Sequence, residues 1–134
     1  MVDRATNSGD YDYDHLKDIQ SCPPQGAAPE PGTFYAYHNS NPPGDEDFRT
    51  AAERGDYVGG DECQRRSNSI YSDLGALKKR VKAIKRRRPK ENFFISSGEI
   101  KIEHGVLDDG DGPHRSFWVC GQHSMHAIFN RLVK

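Results

Sequence analysis

Nine cationic side chains fall within thirteen positions of the run Lys78-Lys79-Arg80-Val81-Lys82-Ala83-Ile84-Lys85-Arg86-Arg87-Arg88-Pro89-Lys90. Ammonium and guanidinium groups at this density neutralise phosphates and release condensed counterions, which gives binding without sequence preference. Leu74, Leu77, Val81 and Ile84 recur at spacings of three, four and three, so a helix here can hold a narrow apolar stripe against a core. On that helix Lys78, Lys79, Lys82, Lys85 and Arg86 lie away from the stripe, and Arg87 and Arg88 sit near its frayed end. These residues form the expected contact surface for nucleic acid or an acidic protein. Lys85–Lys90 also has the composition of a basic nuclear-import patch, were the source eukaryotic. The plainer alternative is a solvated basic face neutralised by acid elsewhere in the chain.

Other residues invite chemistry and mostly fail on spacing. Cys120-x2-His123-x2-His126, with His114 or Cys63, contains four zinc-ligating groups, but it matches no established zinc spacing and lacks Cys-x2-Cys. No metal is expected, and no other cofactor. Asp109, Asp111 and Gly112 would be positions 3, 5 and 6 of a calcium loop. Position 1 would then be Leu107 and position 12 Trp118, neither of which ligates calcium. No Gly-x-Ser-x-Gly, phosphate-loop, dinucleotide or metalloprotease pattern is present. Glu99 and Glu103 could pair as carboxylates, but on a strand they share a face with Lys101, a common surface arrangement. His38, Ser96, Ser97, Glu99 and His114 offer the alternative of a small enzyme, an ADP-ribosyltransferase-like cleft acting on a nucleotide-type substrate. The expected function leans away from catalysis: a binding protein that recognises an anionic macromolecule.

A set of short motifs runs through residues 34–129. They are Asn41-Pro42-Pro43 followed by Asp47-Phe48, then Cys63, Ser69-Ile70-Tyr71, Gly98-Glu99-Ile100, His104-Gly105-Val106, and His114 with Trp118. In these the chain resembles a loosely defined set of small uncharacterised bacterial proteins. It departs from them in carrying Arg115 and Phe117 where they have a second His and a second Trp, and in its basic helix. The resemblance implies a compact bacterial domain and transfers no activity or site. A role in a bacterial defence or mobile-element setting would suit it.

The elements that must position these residues follow from the rest of the 134-residue chain. Leu, Ile, Val and Phe make up 18% and mean hydropathy is -0.91, so a small core with long polar excursions is expected. Net charge is -1, but it is segregated: -9 over residues 1–62, +10 over 63–90 and -2 over 91–134. Residues 1–32 read as an acidic, Pro/Gly-rich N-terminal arm and 33–134 as a single domain. Strands are expected at Thr33–His38, Asn92–Ser96, Glu99–Glu103 and Ser116–Cys120, with Ser97-Gly98 as a tight turn and a loop from Gly59-Gly60 leading to Ser69-Ile70-Tyr71. Helices are expected from Asp45 to Arg54, Ser72 to Arg88 and Ser124 to Val133, giving an α+β fold: a small antiparallel or mixed sheet on one long basic helix. Phe34, Phe48, Leu74, Leu77, Val81, Ile84, Phe93, Ile95, Ile100, Phe117, Trp118, Ile128 and Phe129 are the expected core. No apolar run approaches the ~20 residues of a membrane span, and Met1-Val2-Asp3-Arg4 does not open a signal peptide. Three cysteines cannot all pair, which points to free thiols and the cytoplasm.

Overall fold

In the computed structural model, residues 12–50, 53, 62–108 and 112–133 are described. Their frame is a six-stranded antiparallel sheet of β1 (Gly32–His38), β2 (Asn68–Tyr71), β3 (Phe94–Ile100), β4 (Gly105–Leu107), β5 (His114–Val119) and β6 (Arg131–Leu132). The spatial order is β4-β5-β2-β1-β3-β6. The helices are α1 (Glu62–Arg65), α2 (Leu74–Arg87) and α3 (Met125–Ile128), with 3-10 turns at Asp14–Leu16, Asp45–Phe48 and Ile102–His104. The fold is therefore α+β. At 14 residues α2 spans about 21 Å. It is an ordinary helix laid on a sheet and does not dominate the fold. No described helix is long and apolar enough to cross a membrane.

Period-2 alternation gives the sheet two apolar faces. Phe34 and Ala36 of β1 share one face with Ile100 of β3, Ile70 of β2, Leu107 of β4 and Phe117 of β5. Phe48, Met125, Ile128 and Phe129 cover that face. A second cluster joins Val106 and Trp118 to Leu16 and Cys63, with Tyr13, Ile19, Cys22 and Ala27 packed around it. α2 lies against β1 and β2 and buries Leu77 and Ile84 completely or nearly so, while Leu74 and Val81 are half-buried. Every other residue of the expected core is buried except Phe93 and Ile95, which are half-buried.

Several expectations need correction. Ser97-Gly98 is not a turn: β3 runs through it, paired with β1 from Gly32↔Ile100 to His38↔Phe94. The glycine is there for a non-local reason, since a Cβ at Gly98 would lie 2.6 Å from the Ile128 carbonyl oxygen. Where a strand was expected at Glu99–Glu103, β3 ends at Ile100 and a 3-10 turn follows, so Glu99 and Glu103 do not share a strand. The expected helix at Ser124–Val133 is only α3, after which Arg131–Leu132 returns to the sheet beside β3. From Asp45 a 3-10 turn runs to Phe48 and Arg49 is extended, so the expected helix is broken there; Glu53 is helical and exchanges hydrogen bonds with Thr50, while residues 51, 52 and 54 lie outside the described residues. Asp109, Gly110 and Asp111 of the expected loop also lie outside them. The thiols are not all free, because Cys22 and Cys63 form a disulfide and Cys120 alone is unpaired.

From Asp12 onward the N-terminal segment is bound to the sheet. Leu16 is buried under Trp118, the Tyr13 hydroxyl donates to the Trp118 carbonyl oxygen at 2.6 Å, and Ala28 and Leu107 exchange backbone hydrogen bonds. Glu30 forms an ion pair with Arg115 at 2.9 Å. Cys22 fastens the segment to α1.

Candidate functional site

Helix α2 starts after Asp73 and ends where the Arg88 N–H caps the Ile84 carbonyl, just before Pro89. Its buried Leu77 and Ile84 fix its rotation, so Lys78, Lys79, Arg80, Lys82, Lys85, Arg86, Arg87 and Arg88 are all exposed. Basic residues also complement the negative end of the helix dipole in its last turn. Among the described residues, the only ion pair made by these eight groups is Arg88 with Glu91, at 3.8 Å. Lys85 is the least free of the lysines: its ammonium donates to the Glu91 carbonyl and stands 5.9 Å from the Phe93 ring centre. The seven residues expected from sequence to form the contact surface therefore lie on one solvent-facing surface.

Beside this helix the sheet opens. β1 and β2 are paired at Tyr35↔Tyr71 alone, although the same register would set Tyr37 opposite Ser69 and His38 opposite Asn68. The parted strands, the Asn39–Thr50 segment, α1 and α2 enclose a cleft of 910 Å³. Its walls include Tyr37 and Phe93, whose rings meet edge to face at 6.0 Å, and Arg49, Arg65, Arg80 and Arg88. Arg80 and Arg88 thus belong both to the basic face and to the cleft.

One wall is shaped by Asp47. Its carboxylate accepts from the backbone N–H groups of Asn39 at 3.0 Å, Ser40 at 3.1 Å and Gly44 at 2.8 Å, closing the loop after β1 on itself. Burial alone would raise the Asp47 pKa, but these backbone donors outweigh it and hold the carboxyl below its ordinary value. Next to Asp47, Phe48 enters the core against His38 and Phe129. The Asn68 side chain ties the other lip to this loop by donating to the Phe48 carbonyl at 2.7 Å.

His38 and Ser96 do meet, with Nε2 2.7 Å from the Ser96 hydroxyl and Nδ1 2.7 Å from the Ser40 carbonyl. Because a carbonyl can only accept, Nδ1 carries the proton and Nε2 accepts from Ser96. Burial lowers the His38 pKa and outweighs the Ser40 carbonyl and Asp47, which raise it, so the ring is neutral near pH 7. Both ring nitrogens are occupied and Ser96 is 0% exposed; His38 lines the cleft and Ser96 does not. Ser97 points to the other face of β3, and Glu99 accepts from the Thr33 hydroxyl at the surface. His114 instead approaches the Ser69 hydroxyl at 3.0 Å and stacks edge to face with Tyr71, with burial and then Arg80 and Arg115 lowering its pKa. Of the five residues of the enzyme alternative, only His38 and Ser96 come together.

The residues weighed as zinc ligands are dispersed. Cys63 is in the disulfide, the Cys120 thiol donates to the Glu103 carbonyl, His123 packs on His104 at 4.8 Å between ring centres, and His114 lies at the far end of β5. Among the described residues no three His, Cys, Asp or Glu side chains are placed to hold one metal ion. Sequence reasoning missed the cleft residues Tyr37, Arg49, Arg65, Ser69 and Arg80 as a group, since only the parting of β1 from β2 gathers them. No family model, no curated protein and no solved structure matches the chain.

Proposed function

We propose that the protein binds an anionic polymer, nucleic acid in the first place, through the outer face of α2. The observation that carries this reading is the exposure of Lys78, Lys79, Lys82, Lys85, Arg86, Arg87 and Arg88, which among the described residues make one ion pair, Arg88 with Glu91. A basic face that existed only for internal neutralisation would be met by the acidic half of the chain. The described acids of the N-terminal segment are engaged elsewhere or exposed: Glu30 pairs with Arg115, and Asp14 approaches Lys17 at 3.8 Å. Backbone-directed contacts of this sort position a strand without reading bases. A cytoplasmic site of action stays part of this proposal only through that partner, since the Cys22–Cys63 disulfide removes the free-thiol argument for it.

Fluorescence anisotropy at low salt with labelled single-stranded DNA, duplex DNA and RNA tests the reading. Binding to at least one of them, lost on combined substitution of Lys78, Lys82 and Arg86 by Ala with the melting temperature unchanged, is the expected result. Failure to bind any of the three would leave an acidic protein surface as the partner for the same face.

A further inference from the structure

We infer that the cleft between β1 and β2 is a separate ligand site for a nucleoside 5′-phosphate. Its 910 Å³ lies within the ~300–1,000 Å³ typical of pockets that enclose small ligands. A seam opened in the middle of a sheet, between two strands that each keep a partner on the other side, is an unusual use of the fold. Both lips are held by specific bonds. Asp47 gathers three backbone N–H groups on the β1 side, and Asn68 grips the Phe48 carbonyl from the β2 side. The opening is therefore built into the fold.

The charges facing it select the ligand class. Arg49, Arg65 and Arg88 have Glu46, Glu62 and Glu91 within 4.0, 2.8 and 3.8 Å. The Asp47 carboxylate is spent on backbone donors. Arg80 makes no hydrogen bond or ion pair with any described residue, yet it lines the cleft. Among the described residues its guanidinium is the arginine charge of the cleft with no acid beside it, and its fork geometry suits a phosphate. Tyr37 and Phe93 also line the site as half-buried rings set edge to face, either of which offers a flat heterocycle a stacking surface. A phosphate at Arg80 with a base at Tyr37 and Phe93 uses both features in one molecule. Lys78, Lys82 and Arg86 do not line the cleft, so the site does not depend on the polymer reading.

Titration of the full chain with adenosine 5′-monophosphate, followed by NMR and calorimetry at low salt, tests this. Shifts centred on Tyr37, Ser69 and Phe93 are expected. Arg80→Ala should weaken binding tenfold or more with the melting temperature unchanged, and the Lys78, Lys82 and Arg86 triple variant should bind like wild type. Ribose 5-phosphate and adenosine should each bind at least tenfold more weakly than the whole nucleotide. No shift at millimolar nucleotide, equal affinity in Arg80→Ala, or equal affinity for ribose 5-phosphate would overturn the assignment. A 5′-phosphorylated and an unphosphorylated single strand then separate the sources. A preference for the phosphorylated strand that vanishes in Arg80→Ala identifies a polymer end as the ligand. Equal binding of the two strands, with the mononucleotide still bound, identifies free nucleotide.

Discussion

His38 shows how a residue suited to catalysis is put to structural use. Its ring bridges the Ser40 carbonyl and the Ser96 hydroxyl at 2.7 Å each and packs between Phe48 and Phe94. Removing the hydroxyl with Ser96→Ala leaves Nε2 buried without a donor, which costs about 1–3 kcal/mol. Urea unfolding would measure that loss, and an unchanged midpoint would contradict the buried His38–Ser96 hydrogen bond. The pH dependence has a definite sign. An unfolded imidazole titrates near its ordinary value of 6.5, whereas burial lowers the folded one. The unfolded state thus binds more protons as pH falls through 6.5, so stability is full above that value and declines below it. His104 and His114 are displaced in the same direction, both chiefly by burial, and add to the decline. NMR titration should place His38 below 6.5; a value at or above 6.5 would contradict its buried, neutral state.

Among the elements, α2 carries the clearest contrast between inner and outer face. Leu77 is 0% exposed, so Leu77→Ala should cost about 2–5 kcal/mol. Alanine at the exposed Lys78, Lys82 and Arg86 should change stability by no more than about 0.5 kcal/mol. Thermal melts of the two variants check this, and equal effects would mean that the helix is rotated from its assigned face. This helix was legible because its 3-4-3 apolar spacing is local, and β1 was legible from its alternating aromatics. The Ser97-Gly98 turn was misread because glycine signals a bend in sequence, while its actual cause is the close approach of the Ile128 carbonyl. β4 has three residues and β6 two, too few for a periodic pattern. Within the site, the cationic surface was readable and the cleft was not. Its lining comes from β1, β2, α1, α2 and the Asn39–Thr50 segment, and its existence turns on a single paired register, Tyr35↔Tyr71.

The whole molecule depends on the chain from Asp12 to Pro31, which sequence reads as an arm. Leu16, Cys63, Val106 and Trp118 form a core cluster that exists only with that segment in place. The Cys22–Cys63 bridge spans 41 residues, and in a chain-entropy estimate closing such a loop contributes about 4 kcal/mol. Pairing depends on a Cα–Cα approach of 5.3 Å that spacing could not reveal. A thiol assay on the denatured, unreduced protein should find one free group, Cys120. Cys22→Ser should lower the melting temperature by many degrees; three titrating thiols and an unaltered melt would contradict the bridge. The same bridge fixes α1, whose Gln64 and Arg65 line the cleft, so its loss should also loosen that wall.

At this scale too the charge segregation has its consequence, a +10 block whose helical part faces solvent while, among the described residues of the N-terminal segment, Glu30 pairs with Arg115. The most direct test is the salt dependence of nucleic-acid affinity. If ~5 cations of α2 meet phosphates of duplex DNA, log affinity should fall against log salt with a slope of about -4.5. Removing Lys78, Lys82 and Arg86 should bring that slope to about -1.8 and weaken every sequence alike. A slope near zero, or one left unchanged by the triple substitution, would contradict the assignment of this face as the binding surface.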